Sequence, residues 1–377
     1  MNILITGARG FIGKNLRAAL EPLSERRQWT LFPVDVDTSA QELEEACRAA
    51  DFVFHLAGVN RPQKEEDFQR GNGDFTRQLL ERLEGARRPA VLLSSSTQAA
   101  LENPYGLSKR SAEEAVRAYG QATGAPVYVY RLTNAFGKWS RPHYNSAVAT
   151  FCHSISRGLP IQINDPAALL RLIYIDDIVE EFLRALEGRP AFQGDFCVVQ
   201  PEYSVTLEAL ANLLRHFRDS RDRLDVVDQS DPFVRKLHAT YLSFLPEDDF
   251  ARPAQVNRDR RGSFTELLHL GGYGQVSVNV ILPRITKGEH WHHTKHEKFI
   301  VLSGQGVIRF RRADGSPEVL TYPVSGDPPA VVDIPPGYTH NIENTGDSPM
   351  LTLMWANEAL DPDRPDTFRL PVELPPG

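Results

Sequence analysis

The hydrophobic pattern of this chain changes its period once, and that change decides what it can fold into. Up to about residue 176, short apolar runs (residues 2–6, 30–36, 51–56, 89–95 and 127–132) alternate with amphipathic stretches over 13–20, 39–50, 74–84 and 108–120. A strand–helix series of this kind folds as a doubly wound parallel sheet with helices on both faces. Residues 205–218 predict one further helix. A charged, weakly periodic stretch follows over 219–235, then a cluster of turn formers over 246–253. From Gly262 the helical period is gone. Residues 264–270, 275–282, 298–302, 307–312, 330–334 and 350–355 are short strand-like runs separated by Gly, Pro and Asp, as in a sandwich or small barrel. The expectation is an α/β domain over residues 1–245 and an all-β domain over 246–377. A length of 377 residues suffices for two cores.

Composition excludes several function classes. The net charge is 42 − 49 = −7, so no basic surface calls for nucleic acid. Cys47, Cys152 and Cys197 are far apart and form no C-x-x-C pair, which suggests neither a disulfide framework nor a thiolate metal site. The opening M-N-I-L-I-T-G already reads as a strand and lacks the layout of a signal peptide. No apolar run approaches the ~20 residues of a spanning helix. The expected setting is cytoplasmic, with small-molecule ligands and no membrane insertion.

Residues 6–13 read T-G-A-R-G-F-I-G, directly after the first strand and opening a helix. Gly7, Gly10 and Gly13 permit the tight turn and the backbone approach to a pyrophosphate at a helix N-terminus, and Phe11 and Ile12 start that helix. A glycine triplet alone is weak evidence; here the strand–turn–helix context is met. Asp35 and Asp37 close the second strand, where an acid holds the ribose hydroxyls of NAD, whereas Arg9 inside the turn favours the extra phosphate of NADP. The two signals conflict. The third strand runs into Leu56, Ala57 and Gly58, which pass beneath the nicotinamide side, and His55 reads as a packed residue. Tyr105 and Lys109 are four apart and share a helix face. Reduction of a carbonyl leaves an alkoxide that must be protonated. A free phenol with a pKa near ~10 does this poorly at neutral pH, and a neighbouring lysine lowers it. Ser96, with Ser95 as the alternative, ends a strand at the ligand crevice and can hold the carbonyl oxygen.

The β-rich half carries a second chemistry in G-E-H-W-H-H-T-K-H-E-K-F-I-V-L-S-G (288–304) and P-P-G-Y-T-H-N-I-E-N (335–344). His290 and His292 are two apart and face one way on a strand. With Glu297 and His340 they make three imidazoles and a carboxylate, a set that suits Zn²⁺, Fe²⁺, Ni²⁺ or Mn²⁺. Parity alone leaves the carboxylate open, because His296 shares the parity of His290 and His292 and Glu297 does not. A kink over 293–295 would settle this for Glu297. The alternative is a metal-free histidine pocket that binds sugar.

Over residues 1–245 the motifs T-G-x-x-G-x-x-G, H-L-A-G, S-S-S, Y-G-L-S-K, R-L-T-N-A-F-G (131–137) and Y-I-D-D (174–177) resemble the extended short-chain dehydrogenase/reductase family, which implies a Rossmann-type domain acting on a nucleotide sugar. The resemblance makes Asn134 a substrate contact and Lys138 and Arg171 partners for a diphosphate. Ser96-Thr97-Gln98 lacks the acid pair of the dehydratase branch, so 4,6-dehydration is not expected. The patterns H-x-H-x4-E-x6-G and P-x-G-x2-H-x3-N resemble both cupin motifs, which implies a double-stranded β-helix and selects Glu297 as the carboxylate ligand. The fusion as a whole resembles bifunctional enzymes of capsular polysaccharide biosynthesis. That implies C3 epimerisation of a UDP-2-acetamido-4-keto-2,6-dideoxy sugar in the cupin half, aided by a metal acting as a Lewis acid. NADPH (or NADH) reduction of C4 follows in the first half, giving UDP-N-acetyl-6-deoxy-L-talosamine on the route to UDP-N-acetyl-L-fucosamine. Zinc is the first choice of metal, since nothing in the reaction requires redox, and a homodimer is the expected assembly. Two alternatives stay open: a monofunctional reductase or 4-epimerase with a structural, sugar-binding cupin, and a non-enzymatic NADP sensor.

Overall fold

The computed structural model describes residues 1–359, 361 and 363–373. It divides into two compact units, one of Met1–Arg215 with Ser230–Pro246, the other of His216–Gln229 with the chain from Glu247 onward. The first unit holds β1 (Asn2–Thr6), β2 (Thr30–Val34), β3 (Phe52–His55), β4 (Ala90–Ser96), β5 (Val127–Leu132), β6 (Asn134–Phe136), β7 (Leu169–Tyr174), β8 (Phe192–Gln193), β9 (Phe196–Cys197) and β10 (Tyr203–Thr206). The main sheet runs β2-β1-β3-β4-β5-β9-β8, and β10-β7-β6 form a small second sheet. β1 to β5 pair in parallel, with helices on both faces, and the strands are largely apolar.

The alternation of side chains along each strand sorts them between the two faces. Ile3, Ile5, Phe54 and Leu92 pack with Leu16 and Leu20 of helix Phe11–Arg27 and with Ile178 and Phe182 of helix Ile175–Leu186. Leu4, Val53, Val91 and Leu93 pack with Leu79 and Leu83 of helix Phe75–Glu84 and Val116 of helix Pro104–Thr123. The chain crosses β1 on its way from β2 to β3. The strand order therefore reverses beside β1, and a ligand crevice opens at the carboxyl ends there. The helix expected over 205–218 begins two residues later, because Val205 is taken by β10, and runs over Leu207–Asp222. Helix Pro232–Leu242 was not anticipated. Its signal is Asp231-Pro232: the aspartate caps Phe233 and Val234, and the proline needs no N–H in the first turn.

The second unit holds β11 (Val256–Asp259), β12 (Gly262–His269), β13 (Gln275–Ile281), β14 (Thr286–Trp291), β15 (Glu297–Ser303), β16 (Gln305–Arg312), β17 (Val319–Ser325), β18 (Val331–Ile334), β19 (Tyr338–Asn344), β20 (Met350–Ala356) and β21 (Phe368–Arg369). They form two antiparallel sheets, β11-β12-β13-β20-β15-β18 and β17-β16-β19-β14-β21. Ile281, Phe299, Val301 and Met350 of the first share one core with Ile308, Phe310 and Ile342 of the second, as in a cupin. The segment His216–Gln229 goes with this unit because residues 224–226 run beside β12: Val226 N–H donates to the His269 carbonyl and His269 N–H to the Leu224 carbonyl, both at 2.8 Å.

Candidate functional site

In the first unit a cavity of about 750 Å³ opens at the strand ends. Gly7, Arg9, Gly10, Phe11, Ile12, Gly13, Leu56 and Gly58 line one part of it; Ser96, Tyr105, Lys109 and Asn134 line another. Gly7 has φ +69°, and a Cβ there would lie 2.7 Å from the Ala57 nitrogen; a Cβ on Gly13 would lie 2.2 Å from the Gly7 oxygen. Both glycines are demanded by backbone passing too closely for a side chain. His55 is fully buried between Thr6 and Thr76, at 2.7 and 2.8 Å, and burial drives its pKa down to about 3, so it is a neutral packed residue as expected.

Helix Pro104–Thr123 delivers Tyr105 and Lys109. Asn103 caps it by accepting from the Gly106 N–H at 2.7 Å, and Pro104 fits its first turn. Lys109 is buried and its Nζ donates to the Ser94 carbonyl at 2.9 Å. Burial pulls its pKa down to about 8, against the opposing charge of Glu113. Burial pushes the Tyr105 phenol up, and a hydrogen bond with the Ser96 side chain opposes that rise. The lowering expected from Lys109 is not realised in this arrangement, where burial is the largest influence on the phenol. Ser95 turns away to bond the buried Glu113, which also holds Arg131 through a 2.7 Å ion pair. Ser96 is therefore the hydroxyl beside the phenol.

Arg9 does not stand free at the turn. Its guanidinium bonds both carboxylate oxygens of Asp37, its Nη2 is 3.7 Å from Asp35 Oδ1, and its backbone N–H donates to Asp35 Oδ2 at 2.8 Å. Lys138 pairs with Asp176 and Arg171 with Glu202, and neither lines the cavity. Trp139, Arg141 and Tyr144 line it instead. They lie over residues 139–144, a stretch whose sequence pattern named no role for single residues.

The second unit contains a cavity of about 610 Å³ whose lining includes His290, His292, Glu297 and His340. One ligating atom from each lies within 4.8 Å of all the others. β14 and β19 pair His290 with His340, and a bulge between Gly288 and His290, with Glu289 at φ +63°, sets the aim of His290. β14 ends at Trp291 and β15 starts at Glu297, so the chain breaks over 292–296 and the parity question resolves in favour of Glu297. His296 is exposed beside Trp355 and off the cavity. Glu297 Oε2 lies 3.6 Å from His292 Nε2 and 3.5 Å from His340 Nε2. These three buried atoms have no hydrogen-bond partner among the described residues. Buried lone pairs converging without donors are the signature of a cation site. Burial, then His340 and His292, bring the His290 pKa down to about 4, leaving its imidazole neutral. Burial opposes ionisation of Glu297, yet the neighbouring His292 and His340 imidazoles hold it below the usual carboxylate range.

A strap from far along the chain supports this cluster. His292 Nδ1–H donates to the Asp366 carbonyl, which leaves Nε2 as the ligating atom. The Asp366 carboxylate accepts from the N–H groups of His293, Thr294 and Lys295 at 2.8, 2.8 and 2.9 Å. Nothing in the local sequence around the histidines signals this partner.

Two family models match in tandem: the NAD dependent epimerase/dehydratase family over residues 3–196, and the polysaccharide biosynthesis C-terminal domain over 257–368. The chain belongs to the NAD dependent epimerase/dehydratase family. Within it, the chain is 44% identical over 375 residues to the UDP-2-acetamido-2,6-beta-L-arabino-hexul-4-ose reductase of Pseudomonas aeruginosa, covering 99% of each. It is 48% identical to the capsular polysaccharide assembling protein CapF from Staphylococcus aureus, whose crystal structure matches with a TM-score of 0.92 over 99% of this chain and 100% of that one. The UDP-glucuronic acid 4-epimerase of Bacillus cereus matches 65% of this chain and 99% of its own length at 18% identity and a TM-score of 0.55, a likeness of fold. No helix among the described residues is long and apolar enough to cross a membrane.

Proposed function

We propose that this family member is a bifunctional nucleotide-sugar enzyme, with residues 246–377 epimerising C3 of a UDP-2-acetamido-4-keto-2,6-dideoxy-hexose and residues 1–245 reducing its C4 ketone. The product is UDP-N-acetyl-6-deoxy-L-talosamine, destined for capsule or O-antigen polysaccharide. The four-donor cluster, with the ligating atoms of His292, Glu297 and His340 buried and unpartnered among the described residues, carries this reading, because a reductase alone has no use for it.

His290, His292, Glu297 and His340 are the residues that would hold Zn²⁺, which supplies Lewis acidity to stabilise an enolate. The 4-keto group acidifies the C3 hydrogen; loss of that proton to an acid–base group of the cavity that exchanges with solvent, and delivery of a solvent-derived proton to the opposite face, invert that carbon. The cavity walls hold the sugar and exclude bulk water while this happens.

In the first unit a reduced nicotinamide, NADPH or NADH, supplies hydride to C4. The Ser96 hydroxyl holds the ketone oxygen and the Tyr105 phenol gives it a proton. Lys109, with its pKa near 8, carries charge beside the phenol and stabilises the phenolate left behind. Asn134 lines the same cavity as a substrate contact. Three free, buried cysteines accord with a cytoplasmic setting. Exposed Leu320 and Tyr322 on the edge strand β17 suit a homodimer.

The test is deuterium uptake at C3 from heavy water with the UDP-4-keto sugar, with and without a reduced nicotinamide. The expected result is exchange without the dinucleotide in the wild type and in Tyr105→Phe, and ketone reduction in the wild type alone. Absence of C3 exchange in the zinc-loaded wild type refutes the epimerase half; full reduction by Tyr105→Phe refutes the role of the phenol.

A further inference from the structure

Resting on the epimerase reading above, we infer that Gln275 is a specificity-determining residue of the second-unit cavity. It accepts a hydrogen bond from the N–H of the 2-acetamido group while the four-donor cluster faces the C4 ketone. Gln275 opens β13, along which Gln275, Ser277, Asn279 and Ile281 are buried and alternate with partly buried valines. Ile281 belongs to the core of the β unit, so this face of β13 is the interior one. Gln275 lines the cavity and is 6% exposed, and its Oε1 has no hydrogen-bond partner among the described residues. A buried acceptor left unpaired is costly, and an amide that lines a cavity in this state answers a donor arriving with the ligand.

Strand register selects the donor. Gln275 pairs with Ala356 of β20, and Ala356 pairs with Glu297 of β15. The three side chains therefore form one row on one face of the sheet. Gln275 and Glu297 stand two strand spacings apart in that row, roughly 9.5 Å. Ala356 between them also lines the cavity, and its side chain is a single methyl group. Along one edge of the sugar ring the atoms run in a matching order: the C4 oxygen, C3, and the nitrogen on C2. A ketone oxygen at the cluster sets C3 over Ala356 and turns the acetamido N–H toward Gln275. The C3 hydroxyl changes face during inversion, whereas C2 does not react. A fixed acceptor therefore serves both epimers through the nitrogen.

The experiment measures deuterium uptake at C3 by the full-length, zinc-loaded protein without a dinucleotide. Its two substrates are the UDP-2-acetamido-4-keto sugar and the analogue with hydrogen in place of the acetamido group. Loss of the buried hydrogen bond should lower kcat/KM roughly 10- to 100-fold for the wild type on the analogue, and by a similar factor for Gln275→Leu on the parent sugar. Gln275→Leu should cost far less on the analogue, which has no donor to lose. Gln275→Met, of matching length, should repeat this pattern. A defect of fold or metal content slows both substrates alike, so an equal loss on both, or an unchanged rate on the parent sugar, overturns the inference. A second readout needs no turnover. In protein carrying isotope-labelled glutamine, the side-chain amide signal missing from Gln275→Leu should move further with the parent sugar than with the analogue; equal movement, or none, overturns the inference. That movement with no C3 exchange in the wild type refutes the epimerase reading and leaves the sugar contact standing.

Discussion

Replacing Asp366 with Ala removes the acceptor shared by the N–H groups of His293, Thr294 and Lys295, and by the Thr294 hydroxyl at 3.1 Å. His293 and Thr294 are exposed, so water takes over part of what is lost. At the net value of an ordinary hydrogen bond, the four together contribute about 2–3 kcal/mol to docking of the strap. That is a factor of roughly 30 to 150 in the closed population at about 1.4 kcal/mol per tenfold. The Asp366 carbonyl that orients His292 leaves with the strap, and loss of such an outer partner weakens metal binding by roughly 10- to 100-fold. The assay is chelator competition for Zn²⁺ with wild type, Asp366→Ala and Asp366→Asn, together with the visible spectrum of the Co²⁺ form. The alanine variant should lose at least tenfold in affinity with an altered spectrum; the asparagine variant, which keeps one acceptor oxygen, should fall between. Wild-type affinity and spectrum in Asp366→Ala would show that the four ligands hold their geometry unaided.

Three further outcomes are expected. His340→Ala should lose its bound metal by elemental analysis and stop C3 exchange, while a substrate already epimerised is still reduced; reduction lost in step with exchange refutes the separation of the two chemistries. Lys109→Met should abolish ketone reduction yet raise stability at pH 7. The folded pKa of Lys109, about 8, lies below its unfolded value of ~10.4, so the charged lysine penalises folding below pH 8 and the penalty fades as pH climbs to ~10. Allowing for the lost bond to the Ser94 carbonyl, the gain is about 1 kcal/mol in denaturant melts and should vanish above pH ~10; destabilisation at pH 7 refutes it. Ser96→Ala should lower kcat for reduction roughly 10- to 100-fold with little change in dinucleotide affinity, and unchanged kcat would return the carbonyl-holding role to Ser95.

Much of this was legible in the chain because the evidence was local. The glycine turn, the Tyr105–Lys109 spacing and the paired histidines each sit within one element and its flanks, where period and backbone geometry act directly. What stayed hidden depends on distant partners. Asp366 reaches the His292 loop across more than seventy residues, Arg9 is engaged by acids in the turn after the next strand, and Lys138 and Arg171 are held by Asp176 and Glu202 outside the crevice. β17 escaped notice because Pro323 interrupts its pattern.

The four donors of the second unit come from three strands and the turn between two of them, and those strands belong to different sheets. An ion held there is therefore a rivet as well as a reagent, and its binding energy adds to the folding energy of the β unit. At a free ion concentration one hundred times the dissociation constant, that addition is about 2.7 kcal/mol. A cell starved of the metal would then lose more than one reaction: the β unit would open more often, expose its core to proteases, and be degraded at a rate set by metal supply.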